Sequence, residues 1–126
     1  MMMNMWFLAA GFGSLFICWV HVVFGGKDIA RPLLATENIS RMVKYTHYYC
    51  WHMVSIVLGV MGLMFLWAAK YQSGVELAFT ASVFALAFTL WSLGIVAINK
   101  GRWKLFPQWI LFAPVAIIGI IGLVYG

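Results

Sequence analysis

The chain has 126 residues, 65% of them hydrophobic and only 9% charged, and its mean hydropathy is +0.98. Soluble domains carry about 25% charged residues, and a globule of this size cannot hide so much apolar surface. Lipid is therefore the expected solvent, and one compact bundle without an extramembrane domain is the expected organisation. The net charge of +5 does not point to nucleic acid, because the basic residues are few and sit in short connectors, where they read as topology signals.

The first span is predicted over residues 3–24. Its apolar run is too long for a signal-peptide core and lacks a well-placed cleavage motif, so it is expected to be retained. Gly25 and Gly26 are the expected helix stop. A connector over 27–41 follows, running on to Lys44 and carrying Lys27, Arg31, Arg41 and Lys44 against Asp28 and Glu37. Pro32 suits the first turn of a helix. With Leu33, Leu34 and Ile39 it predicts a short helix lying on the membrane surface.

The second span is predicted over 42–69. Residues 49–69 hold no Lys, Arg, Asp or Glu, and at a rise of about 1.5 Å each they match the hydrocarbon thickness. The whole span is longer than the bilayer needs, so its start should protrude or tilt. A tight turn over 70–74 leads to the third span, 75–98, and the fourth covers 106–125. Pro107 falls near the first turn of that last helix, where it is tolerated, while Pro114 lies inside and is expected to kink it.

Lys and Arg fix an expected orientation. The first and third connectors carry seven of the eight, and positive loops stay in the cytoplasm, so both termini are expected outside. Aromatics agree: Trp19, Tyr48, Tyr49, Trp51, Trp103 and Trp109 mark one interface, and Trp6, Trp67, Tyr71 and Tyr125 the other. The predicted fold is all-α, a polytopic four-helix transmembrane bundle.

Each span carries small or polar residues at steps of three and four, which keeps them on one helix face. The first has Gly11, Ser14, Cys18, His21 and Gly25; the second has Tyr48, His52, Ser55, Gly59 and Gly62. The third has Ala78, Ser82, Ala85, Thr89, Ser92 and Asn99; the fourth has Ala116, Gly119, Gly122 and Gly126. In lipid, small residues let backbones approach and hydroxyls bond across the gap. These faces are expected to pack, with Gly59 toward another helix and Leu58 toward lipid. Cys18 and Cys50 both lie inside spans without a CxxC pattern, and are expected to be buried free thiols.

Imidazoles inside a span are functional candidates by default. His47 and His52 are five apart, about 140° around a helix, so they do not share a site. His21 and His52 both fall on polar stripes at matched depth, and are expected on facing surfaces of the first two helices. The favoured expectation is a plain polar contact, to each other, to Ser55, to Tyr48 or to water, with no cofactor. Two other readings compete: haem b held by His21 and His52 as axial ligands, and a metal ion held by Cys18, His21 and His52, although no standard ligand spacing supports it. Lys27, Arg31 and Arg41 are candidates for lipid phosphate.

No catalytic set is legible. There is no HExxH, glycine-rich phosphate loop or serine–histidine–aspartate pattern, and no carboxylate deep in a span for coupled transport, Glu76 belonging at the outer mouth of the third. The runs HVVFGGKDIARPLL, YYCWH and LFPQW resemble small, uncharacterised four-span bacterial inner-membrane proteins. That resemblance covers nearly the whole chain, implies a multi-pass inner-membrane location and brings no activity with it. The expected role is a non-catalytic accessory or assembly subunit of a membrane complex. Its partners would be lipids and other membrane subunits or further copies of the chain, and not nucleic acid.

Overall fold

The computed structural model describes residues 3–126. Four helices are long and apolar enough to cross a membrane: α1 (Met5–Ala35), α2 (Arg41–Lys70), α3 (Val75–Ile98) and α4 (Gln108–Tyr125). Each helix packs against the next in sequence, and α4 returns to pack against α1, so the four close into an up-and-down ring. The α1–α2 connector and the α3–α4 loop lie at one end, where Ile29 and Leu105 line a common cavity. Seven of the eight Lys and Arg are thus gathered at that end. Lys70 and the short 3₁₀ turn Gln72–Gly74 lie at the other.

α1 corrects the expected stop at Gly25–Gly26. The helix continues through both glycines by widening to π pairing over His21–Ala30, and it returns to α geometry over Arg31–Ala35. At the junction the Arg31 amide donates to the Gly26 carbonyl, five residues back. Glycine permits a helix to end but does not compel it, and no αL residue follows to cap this one. Helical geometry ends instead at Thr36, whose ψ of 137° is extended. The expected surface helix over the connector is therefore the tail of α1. Pro32 sits in the first turn of that tail, and Lys44 Nζ donates to the Leu34 carbonyl at 3.0 Å, pinning the tail to α2.

At the opposite end Asn4 caps α1. Its Oδ1 accepts from the amides of Trp6 at 3.0 Å and Phe7 at 3.1 Å, filling two of the donors that every helix start leaves open. Its Nδ2 donates to the Gly122 carbonyl of α4 at 3.2 Å, and its backbone amide donates to the Ala69 carbonyl of α2 at 2.9 Å. One residue thereby joins three helices.

Between these ends the seams are built of small residues facing large ones. On α3, Ala78, Ala81, Ser82, Ala85, Thr89 and Ser92 are buried. Ser82 and Thr89 return their hydroxyls to the carbonyls of Ala78 and Ala85. Opposite them stands Gly119 of α4, while Gly122, also buried, faces Phe7 and Trp6 of α1. Phe65 of α2 fills the centre, with no exposed surface, and a methyl group added at Gly119 would press on its ring and on Ser82.

The α2 face toward α1 is rotated from the expected one. Leu58 is 1% exposed and belongs to the core; a Cβ on Gly59 would meet nothing within 4 Å. Gly59 is therefore not a packing glycine, and Leu58 does not face lipid. The buried set is Leu58, Met61, Gly62, Phe65, Ala68 and Ala69. Ser55 stays half-buried on the same seam.

Candidate functional site

The polar residues of the α1–α2 seam form a ladder in antiparallel register. Ser14 Oγ donates to the Leu58 carbonyl at 3.0 Å, and Cys18 Sγ reaches the Ser55 carbonyl at 3.5 Å. One turn further, His21 Nε2 donates to the Trp51 carbonyl at 3.2 Å. A carbonyl only accepts, so the proton sits on Nε2 of that imidazole. Ser55 Oγ donates to the same Trp51 oxygen at 3.2 Å. That carbonyl thus serves two side-chain donors although it lies inside a helix.

His21 also stacks on the Trp51 indole, with centroids 3.8 Å apart and planes 18° from parallel. Gly25, one step on, leaves the space the indole occupies: a Cβ there would meet the ring. The widened segment of α1 begins at His21. Local π pairing is commonly found where a helix serves a functional site, and here it sets His21 and Gly25 against Trp51.

Two cavities share Trp51 as a wall. The first, about 560 Å³, is largely apolar and takes His21, His47, Cys50 and Gln108 into its lining. The second is a cleft of about 480 Å³ between the tail of α1 and the start of α2, with Lys27, Arg31, Tyr48, His52 and Ser55 among its walls. The structure places His21 and His52 level on facing helices, since His21 bonds Trp51 and His52 is the next residue of α2. Their rings line different cavities. His52 is exposed and packs edge-on against Tyr48, with centroids 4.6 Å apart. His47 is exposed and donates from Nδ1 to the Val43 carbonyl at 2.8 Å.

This arrangement does not fit a haem. Two axial imidazoles must share one cavity with the iron between them, whereas His21 lines the apolar cavity and His52 the cationic cleft, with Trp51 as a wall of both. Nor are Cys18, His21 and His52 gathered as ligands: among the described residues no three His, Cys, Asp or Glu side chains are placed to hold a metal ion. Cys18 is half-buried, but Cys50 is exposed, which corrects the expectation of two buried thiols.

Of the basic candidates, Lys27 and Arg31 enter the cleft together. Arg41 does not; its guanidinium lies over the Tyr45 ring, 5.8 Å from the centroid. The sequence stripes pointed to Cys18, His21, Ser55 and Gly25, but not to Trp51, whose carbonyl and indole organise the last three. Asn4 was legible in principle, as an N-cap residue standing just before an apolar run.

The fold and its seams define an all-helical protein of the multi-pass membrane class, with seven of its eight Lys and Arg, and the two cavities that share Trp51, at the connector end. No protein-family model, no curated protein and no solved structure matches the chain.

Proposed function

We propose that this protein is a non-catalytic accessory or assembly subunit of a larger complex in a bacterial inner membrane, with both termini outside. The observation that carries the reading is the start of α2. The 30 residues of α2 span about 45 Å, against about 30 Å of hydrocarbon. Its charge-free stretch over 49–69 fills that thickness, so Arg41 to Tyr48 projects into the headgroups and beyond. On this projecting turn and the next, Met42 is 77% exposed, and Tyr45 and Tyr49 are exposed beside it. Arg41 lies over Tyr45. Tyr, Met and Arg are the residues enriched where proteins meet, and for Met42 and Tyr45, outside the hydrocarbon, the lipid tails do not account for their exposure. The orientation rests on the cation-rich end facing the cytoplasm.

Gentle solubilisation from the native membrane followed by native electrophoresis tests the reading. A discrete assembly larger than one chain is expected, and Met42→Ala/Tyr45→Ala/Tyr49→Ala should release the single chain without lowering its unfolding temperature. A parent protein that migrates as a single chain sinks the proposal. Assembly with copies of itself would identify the partner as this same chain.

A further inference from the structure

We infer that the cleft between the tail of α1 and the start of α2 binds a phosphate-bearing anion, and that its shape suits the headgroup of an anionic phospholipid. Lys27 and Arg31 come from one face of α1, four residues apart; Tyr48, His52 and Ser55 come from α2 opposite. The cleft wall contains two fixed cations, a phenol, an imidazole and a hydroxyl, and no carboxylate. Neither cation makes a side-chain hydrogen bond with another described residue that would occupy it, whereas Lys44 nearby is held by the Leu34 carbonyl. Cations beside a leaflet attract anionic lipid in general. What distinguishes this place is a concave volume of about 480 Å³ into which both point from one side while polar groups face them from the other. Arginine adds a planar fork matched to phosphate oxygens.

The rest of the lining favours a lipid as the source of the phosphate. Val22 and Val23 supply apolar wall on the hydrocarbon side of the cations, suited to the glycerol and the first methylenes of an acyl chain. Gly26 forms part of the wall, and a Cβ built on it would meet nothing within 4 Å. That bare backbone is what keeps the cleft open.

The inference is independent of any partner protein, and the purified full chain in detergent suffices to test it. Native mass spectrometry would follow adducts of dioctanoyl phosphatidylglycerol, dioctanoyl phosphatidylcholine and inorganic phosphate. Phosphatidylglycerol should bind at least tenfold more tightly than phosphatidylcholine, and Lys27→Gln/Arg31→Gln should remove that preference. Gly26→Leu, which meets no neighbour, should fill the cleft and block binding while leaving the unfolding temperature within a degree or two of the parent. Inorganic phosphate that binds as tightly as phosphatidylglycerol, and is lost in the same variants, would make a free anion the ligand. Equal binding of the two lipids without phosphate binding, or binding unchanged in both variants, overturns the inference.

Discussion

Gly11 of α1 and Gly62 of α2 each stand against the other's carbonyl oxygen: a Cβ on Gly11 would lie 3.2 Å from Gly62 O, and one on Gly62 3.3 Å from Gly11 O. Leu66 and Leu15 close over the pair, at 2.8 Å from the first added methyl and about as close to the second. The two backbones approach here because neither carries a side chain, and in lipid such approach is a main source of helix association. Gly62→Leu should therefore force the seam apart and destabilise the bundle by about 1–3 kcal/mol or more, the scale of overpacking. Gly59→Leu, only three residues away, enters open space and should leave thermal unfolding in detergent unchanged. Equal tolerance of both variants would show that the seam does not depend on close backbone contact.

How much of this seam the sequence revealed follows from what lipid does to hydropathy. On α1 the run Gly11, Ser14, Cys18, His21, Gly25 lies along α2 through its full length, because small and hydroxyl residues at helical spacing have few other uses in a bilayer. On α2 the same search selected Gly59 and missed Leu58, Met61 and Phe65, which are buried. Lipid is as apolar as a protein core, so a large aliphatic residue reads alike on either face. Burial of Phe65 is decided by what faces it, the missing side chain of Gly119, and that complementarity lies between helices rather than within one. The π stretch of α1 was equally hidden, since a shift from four-residue to five-residue pairing leaves no mark on apolar periodicity.

Asn4 offers a test at the end opposite the cation-rich one. Asn4→Ala removes the cap acceptor, worth about 1 kcal/mol, and the tie to Gly122, worth about 0.6–1 kcal/mol in membranes. A loss of roughly 1.5–2 kcal/mol is expected. Asn4→Asp keeps the acceptor for Trp6 and Phe7 but lacks the donor for Gly122, and should fall between Ala and the parent. Chemical unfolding in mixed micelles would rank the three, and a ranking with Asp at or below Ala would show that the cap is not the main contribution.

Orientation is open to direct measurement. In a chain with Cys18 and Cys50 replaced by Ala, a cysteine at Ser73 should react with an impermeant maleimide applied to intact cells. Cysteines at Glu37 and Arg102 should react only after the cells are opened. Glu37 and Arg102 are exposed in the two connectors at the cation-rich end, and Ser73 is exposed in the turn at the other. Labelling of Arg102 from outside would reverse the proposed topology and place the phosphate cleft in the outer leaflet.

His21 and His52 look equivalent in the sequence, and their environments make them unequal. His21 donates to the Trp51 carbonyl and stacks on its indole; His52 is exposed and lines the cationic cleft. His21→Ala loses a hydrogen bond between helices, worth about 0.6–1 kcal/mol, and a stacked contact worth up to about 1 kcal/mol. The Trp51 carbonyl keeps the Ser55 hydroxyl, so no acceptor is stranded and the cost should stay near 1–2 kcal/mol. His52→Ala should change stability by less than about 0.5 kcal/mol, as exposed positions do, and act on anion binding instead. Two residues forming one site would lose stability together and show a coupling energy in the double variant. Additive effects, with stability lost only at His21 and phosphatidylglycerol binding lost only at His52, are the outcome this geometry requires.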